Sequence, residues 1–376
     1  MQVEKAKINI RQLFVMIVLF ELGSSLLIPP GAMAGRDAWL AILLGCAAGL
    51  IPYYIYQGLY QYYPENSPKG YLNDLLGKKL SWIISFIYIL YFAYIAARVL
   101  RDFGEMLLTF AYEDTPIIVV NALLVIVCLY AVKKGIEVLA RASELLFGAV
   151  LLLGVTGLIL IIASGSIDIH YLKPVLADGI APVFRAVFSQ TMYVPFGELV
   201  LFVVIFPSLN DRKGVKKAGM LAIGLSGILI ALSSAVNISV LDVDIMVRSQ
   251  FPLLSTIRTI KVAEFLDRLD VFFMLGLIIG GFVKVSLFLY AVVIGASTLF
   301  KVKNPSQIAM PIGCVVLVLS ITIATNISEH LNEGLNVVPL YIHLPFQVLF
   351  PLLLFLLAVM KNRKKKKNKP AEKNRQ

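Results

Sequence analysis

The feature that most constrains this chain is a succession of apolar runs, each near the ~20 residues that cross a bilayer as a helix. Ten are read: 9–33, 37–58, 81–100, 116–132, 141–163, 183–206, 216–240, 269–299, 307–325 and 338–360. With 59% of its 376 residues hydrophobic and 15% charged, the chain holds more apolar sequence than a soluble domain needs. The expectation is an all-α integral membrane protein of ten transmembrane helices. It forms one transmembrane domain over 1–360, followed by a basic tail over 361–376. The N-terminal basic residues, the apolar run and Ala32-Met33-Ala34 imitate a cleavable signal peptide. Glu21, Gly23 and Pro29-Pro30 inside the run argue for a retained first span.

An even number of crossings places both termini on one side, and the Lys/Arg bias says which. The loops and tails on the proposed inner side hold 24 Lys/Arg, those on the outer side nine, and Lys284 belongs to neither. Both termini are therefore expected in the cytoplasm. The formal charge of +11 is mostly the tail, which carries nine Lys/Arg and one Glu. Such a tail is a stop-transfer and orientation signal that also suits anionic lipid. It has no aromatics interleaved and no folded platform, so nucleic acid is not an expected partner.

Two runs are interrupted, and they are the first and the sixth. The first reads Phe20-Glu21-Leu22-Gly23-Ser24-Ser25 before Pro29-Pro30; the sixth reads Tyr193-Val194-Pro195-Phe196-Gly197-Glu198 before Pro207. Backbone freed from helical bonding in lipid costs several kcal/mol per group unless it lines a cavity or is covered by protein. Splitting ten spans as five plus five sets the two breaks at equivalent places. Because five is odd, the second half enters from the other side, which is the arithmetic of an inverted repeat. Repeat one is about 9–163 and repeat two about 183–360. The connectors 168–182 and 252–268 have apolar spacings that suit helices lying on the outer surface, either covering a vestibule or serving as packed links.

No nucleophile–base pair, phosphate loop or metal cluster is evident, so neither enzymatic activity nor a cofactor is expected. Cys46, Cys128 and Cys314 all fall inside spans without metal or redox spacing. The three histidines, His170, His330 and His343, are scattered along the chain.

Taken in order, several motifs resemble one family. These are Gln12-Leu13-Phe14 through Gly23, Ala34-Gly35-Arg36-Asp37-Ala38-Trp39, Leu75-Leu76-Gly77-Lys78, Glu105 with Thr115-Pro116, and Pro195-Phe196-Gly197-Glu198 with Phe206-Pro207. Over essentially its full length the chain resembles the permease-like B-subunit of endospore nutrient germinant receptors. The resemblance implies an amino acid–polyamine–organocation superfamily fold of the leucine-transporter type, with broken first and sixth helices. It also implies A- and C-subunits as partners in the spore inner membrane, and recognition of a small nutrient.

At a broken helix the N-terminal end of one half suits an anion, and the opposing carbonyls suit an ammonium or a cation. Candidate ligand-binding residues are Glu21, Leu22, Gly23, Ser24 and Ser25 in the first span. Tyr91 and Tyr94 in the third span join them, with Tyr193, Pro195, Phe196, Gly197 and Glu198 in the sixth. Gly and Ser at these places also suit close helix packing, and the tyrosines also suit aromatic packing. Glu21 and Glu198 need partners, since an acid at mid-membrane costs roughly 2.5–3.5 kcal/mol. Lys284, in Gly280-Gly281-Phe282-Val283-Lys284, is the expected partner, because the resembled fold sets the eighth span beside the first. It is expected to bond a first-span carbonyl, Glu21 or Glu198, as a cation-site group or as a purely structural pair. Arg98, Arg101 and Glu105, with Asp102, form a charged patch near the outer end of the third span. The spacing allows the i,i+4 pairs Arg98–Asp102 and Arg101–Glu105, on a solvated helix end or at an outer entrance.

Three functions follow in order. The first is a nutrient-sensing receptor subunit that binds a small molecule, by default an amino acid, in a mid-membrane cavity. The second is a proton- or cation-coupled amino-acid permease, and the third a non-sensing scaffold or ion-conducting subunit.

Overall fold

The computed structural model describes residues 7–260 and 269–367. α1 (Ile10–Ser25) starts from a reciprocal cap: the Asn9 side chain accepts from the Gln12 N–H, and the Gln12 side chain accepts from the Asn9 N–H. α2 (Ala38–Tyr62), α3 (Pro68–Leu76), α4 (Lys78–Phe110), α5 (Ile117–Lys134) and α6 (Ile136–Ala163) complete the first half. α3 is a short helix in the connection between α2 and α4, capped by Ser67 with Pro68 in its first turn, where a missing N–H costs nothing. Gly77 and Gly135 each end one helix and open the next, at φ +81° and +89°. Only glycine takes such angles without strain.

In the second half the sixth span is not one helix. α7 (Ala181–Ala186) runs into a π-helical turn (Val187–Thr191), the chain turns over 192–195, and a 3₁₀ helix (Phe196–Val204) finishes the crossing. α8 (Val215–Leu241), the short α9 (Val243–Arg248) and α10 (Pro252–Arg258) follow, then α11 (Leu269–Phe300) and α12 (Ser306–Thr322). α13 (Ile327–Asn332) and π-helical segments over Glu333–Val337 and Pro339–Leu349 lead into α14 (Phe350–Lys367). Pro345 lies inside the last π-helical segment, where it removes a helical donor and displaces the hydrogen-bond register.

Each apolar run has a helical counterpart. Eight helical segments among the described residues are long and apolar enough to cross a membrane, or nine when Ser306–Thr322 and Ile327–Val337 count as one bent span. α1, with 16 residues, is shorter than a full crossing, yet it is buried from Gln12 to Ser25 except at Phe14. It packs against α8, α11, and α6.

The first and last described segments, around Ile8 and Lys361, lie at one end of the bundle. There Ile8 N–H donates to the Ser208 carbonyl (3.0 Å), and Gln12 donates to Glu144 (3.1 Å). At the same end Arg212 meets Glu65, Lys361 reaches the Asp74 carbonyl, and Lys69 reaches the Thr298 carbonyl. The loops that join to form this end are the Lys/Arg-rich set. The opposite end is tied by Arg36 to the Lys173 carbonyl (2.7 Å), Leu176 N–H to Asp37 (3.1 Å) and Asp168 N–H to the Ser239 carbonyl (2.8 Å).

Four expectations change. The first break is displaced: α1 remains helical through Glu21, Leu22 and Gly23, and the chain leaves it after Ser25. The N–H groups of Leu27 and Ile28 return to the Ser24 carbonyl, and the prolines at 29–30, which lack donors, carry the interruption. The third span does not end near residue 100. α4 continues to Phe110, so Arg98 to Glu105 lie within it, because their charges have partners on the ninth span. The ninth span is bent by 104°. The 168–182 connector holds only a 3₁₀ turn (Ile169–Leu172), since Leu176 and Gly179 take φ of +57° and +76°, angles that end a right-handed helix. The second surface helix is observed as α10. Its expected continuation through Lys261, Ala263, Glu264, Leu266 and Arg268 lies outside the described residues, as do 1–6 and 368–376.

Candidate functional site

The sixth-span break brings Glu198 to the first turn of the 3₁₀ helix, and its N–H bonds the Pro195 carbonyl (3.1 Å). Opposite it, α11 carries Lys284, which is completely buried. The Lys284 ammonium lies 2.5 Å from Glu198 Oε2 and 2.5 Å from Ser24 Oγ. The face of the Phe20 ring is 5.0 Å away, a distance at which a cation is attracted to the ring. One ammonium thus joins the first, sixth and eighth spans. A buried ion pair of this kind is stable only when both partners are present and hydrogen-bonded.

Glu21 has a different environment. It is fully buried, neither carboxyl oxygen makes a hydrogen bond of normal geometry, and it points toward Ser226 on α8. Lys284 and Glu198 are within its electrostatic reach. Ser25 is buried with its hydroxyl unbonded, and Leu22 is part of the main core. Gly23 lies against Gly280: a Cβ placed on Gly23 would come within 2.8 Å of the Gly280 carbonyl oxygen. The close approach of α1 and α11 requires these two glycines, and it is what allows Lys284 to reach Ser24.

The sixth-span residues divide. Gly197 faces the tenth span, where a Cβ would meet Gln347 Oε1 at 2.2 Å, and its carbonyl accepts from Tyr56 of α2 (3.1 Å). Phe196 turns the other way, into the space left by Gly49 on α2 and Gly227 on α8. Tyr193 is buried, and its carbonyl accepts the Gly197 N–H (3.1 Å).

A layer of tyrosines lies beside the break. Tyr91 stacks on Phe346 with centroids 4.7 Å apart and planes 4° apart. Its hydroxyl pairs with His343 Nδ1 (2.9 Å) and accepts from Gln347 (2.9 Å). Tyr56 donates to the Gly197 and Gln347 carbonyls, and Tyr88 to the Phe346 carbonyl (2.8 Å). Tyr94 is half-buried and accepts from Arg98 (3.2 Å).

Toward the far end, α4 holds the bent ninth span. Arg101 donates to the Ser320, Ile321 and Ala324 carbonyls at 3.4, 2.9 and 2.8 Å and to Glu105 at 2.9 Å. It thereby satisfies acceptors that the end of α12 leaves open. Arg98 donates to the His330 carbonyl and lies 3.6 Å from Glu333. Asp102 pairs with His330 Nε2 at 2.6 Å. Of the two expected i,i+4 pairs, Arg101–Glu105 forms, whereas Arg98 and Asp102 both turn to α13. The patch is buried, not a solvated helix end: Arg98, Arg101 and Asp102 are 6%, 4% and 7% exposed.

A cavity of about 70 Å³ lies between these groups. Its polar lining is Ser24, Arg98, Asp102, Glu198, His330 and His343. Among the sequence candidates only Ser24, Glu198 and Arg98 reach it. Asp102 was read as part of the entrance patch, and the two histidines were missed as site residues. The available signal was a lone histidine and glutamine four residues apart, His343 and Gln347, on an otherwise apolar tenth run.

Comparison with known proteins agrees with this architecture. The model of the family described as "Spore germination protein" matches residues 7–328. The chain is similar to "Spore germination protein KB" of Bacillus subtilis (strain 168), with 74% identity covering 98% of this chain and 99% of that one. It is also similar to "Spore germination protein YndE" of the same organism, at 27% identity over 84% and 87% of the two chains. Among solved structures, MhsT in complex with L-phenylalanine superposes with a TM-score of 0.67 at 15% identity, covering 93% of this chain and 88% of that one. Mhp1, a nucleobase-cation-symport-1 family transporter in a closed conformation with bromovinylhydantoin bound, also gives 0.67, at 12% identity over 88% and 75%. The fold is therefore of the leucine-transporter type.

Proposed function

Because the chain belongs to the spore germination permease family, the family of germinant-receptor B-subunits, we propose that it is the nutrient-sensing membrane subunit of a germinant receptor. The observation that carries this reading is the cavity at the helix breaks, whose polar wall is Ser24 of the first span, Arg98 and Asp102 of the third, Glu198 of the sixth, His330 of α13 and His343 of the tenth. At about 70 Å³ it is smaller than an ordinary ligand pocket, so binding requires the site to open. Its mixture of acids, arginine and histidine suits a polar molecule, and the phenylalanine bound by the similarly folded MhsT supports an amino acid as the class. The subunit sits in the spore inner membrane with both termini cytoplasmic, as the Lys/Arg bias supports, and assembles with A- and C-subunits.

The test is germination of spores carrying Glu198→Gln, Asp102→Asn or His343→Gln, measured across a nutrient panel at matched protein level. A shift in the nutrient concentration dependence is expected. Unchanged concentration dependence in all three variants would remove the cavity as the sensing site. A second reading, a proton- or cation-coupled permease, is favoured by the fold together with the buried Lys284–Glu198 pair. Uptake of labelled nutrient into proteoliposomes would select it.

A further inference from the structure

A second and much larger cavity, about 560 Å³, lies at the end of the bundle that carries Ile8 and Lys361. The tyrosine layer stands between it and the nutrient cavity: Tyr56 and Tyr88 form its inner limit, and Tyr56 bonds the Gly197 and Gln347 carbonyls on the other side. Its depth is mostly apolar, with Phe92 on α4, Val200 and Val203 on the 3₁₀ helix, Ile294 on α11, and Phe350 and Leu354 on α14, beside the hydroxyls of Ser85 and Ser297. That volume is in the range of ligand pockets.

Its mouth is basic. Lys69, Lys133 and Lys303 line it, and its one acidic lining residue, Glu65, is already paired with Arg212. Lys69 donates to the Thr298 and Leu299 carbonyls at the end of α11 (3.1 and 3.3 Å). Burial first, and then the like charge of Lys301, hold its ammonium below the usual lysine range. Among the described lining residues the positive charge is thus crowded, and the one acid, Glu65, is engaged by Arg212. The 17-residue α12 also starts at the mouth, with Pro305 and Ser306 in the lining, and adds the positive end of its dipole.

We propose that this cavity binds an anionic phospholipid of the surrounding leaflet. The phosphate sits among Lys69, Lys133, Lys303 and the start of α12, and an acyl chain enters the apolar depth. Three facts select a lipid over a soluble anion. The basic groups are confined to the rim. The depth offers side chains of the kind a hydrocarbon chain packs against. The rim lies at the membrane-surface end of the helices, where basic pockets between spans meet acidic head groups.

The experiment follows thermal unfolding of the purified full-length chain in neutral detergent with added phosphatidylglycerol, phosphatidylcholine of the same acyl chains, or glycerol 1-phosphate. Phosphatidylglycerol is expected to raise the melting temperature, and the other two are not. In the double variant Lys69→Gln/Lys303→Gln the response to phosphatidylglycerol is expected to fall to that of phosphatidylcholine. Val203→Phe, which fills the depth and leaves every lysine in place, is expected to lose the same response; it decides the matter should the double variant not fold. Equal stabilisation by both lipids overturns the proposal. Stabilisation by glycerol 1-phosphate equal to that by phosphatidylglycerol overturns the lipid source. A full phosphatidylglycerol response in a folded double variant or in Val203→Phe overturns the site.

Discussion

Lys284→Met keeps a long, flexible side chain at the centre of α11 but removes the ammonium that bonds Glu198 and Ser24. Lys284 is 0% exposed and Glu198 4%, so bulk solvent does not replace the lost partner. Removing one member of a buried pair while the other remains costs about 3–5 kcal/mol. That corresponds to roughly two to four powers of ten in the folding equilibrium, at about 1.4 kcal/mol for each. The double variant Lys284→Met/Glu198→Gln removes the orphaned charge as well. It is expected to regain most of the loss, because replacing a whole buried pair with uncharged groups is often neutral. The two variants and each single substitution would be unfolded by heat in one detergent, with abundance in membranes as a second readout. A Lys284→Met protein within ~1 kcal/mol of the parent would mean that the pair is not held dry, because exposed pairs are worth that little. A double variant no more stable than the single would refute the reasoning by another route, since the loss would then come from packing and not from charge.

Gly23→Ala places a Cβ 2.8 Å from the Gly280 oxygen and 3.0 Å from its carbonyl carbon. Both are backbone atoms, so α1 and α11 must separate, and a loss of about 1–3 kcal/mol is expected in thermal unfolding. Gly197→Ala meets the movable end of Gln347 at 2.2 Å and the Met192 carbonyl oxygen only at 3.1 Å; a smaller loss of stability than for Gly23→Ala is expected in the same assay. Arg101→Gln strips the donor from two α12 carbonyls and from that of Ala324 just beyond the helix, and the expected readout is faster amide exchange over 320–330 with little change elsewhere. The Lys69 ammonium is held below its ordinary value of 10.5 by burial and Lys301. The unfolded chain therefore binds more protons at this position just below pH 10.5, so Lys69 makes stability rise with pH there. Lys69→Met is expected to flatten that rise, and added salt to weaken it in the parent, as followed by melting temperature against pH.

The two interrupted spans were legible because Gly, Pro and Glu inside an apolar run have few acceptable places in a membrane, and the reading located the sixth break closely. It set the first break too early. Proline, not glycine, ended the helix, because Gly23 was used to let α11 approach. That Lys284 needs a carboxylate also follows from sequence, but which carboxylate does not. The choice depends on the face each acid occupies, and Glu21 faces α8 while Glu198 faces α11. The bend of the ninth span was not legible, since no proline or glycine marks it. It is fixed by arginines more than 200 residues earlier in the chain, Arg98 and Arg101, which straddle the end of the apolar run 81–100.

The buried cations share one arrangement. Among the described residues Arg98, Arg101 and Lys284 are the buried lysines and arginines, and each is carried by an unbroken helix, α4 or α11. Each is bonded to a segment at or beside an interruption: Ser24 and Glu198 for Lys284, the end of α12 for Arg101, α13 for Arg98. Interrupted helices expose carbonyls and concentrate acids, which in lipid need donors; the continuous helices supply them. The broken segments are therefore held by charge as well as by packing, and they cannot move without releasing a charged contact. A ligand that enters the 70 Å³ cavity meets Glu198, Asp102 and Arg98 directly. It competes for the same contacts that fix the sixth and ninth spans, so its binding energy is coupled to their position. That coupling is what a receptor subunit requires if it is to convert occupancy of a buried site into a change that its partners can read.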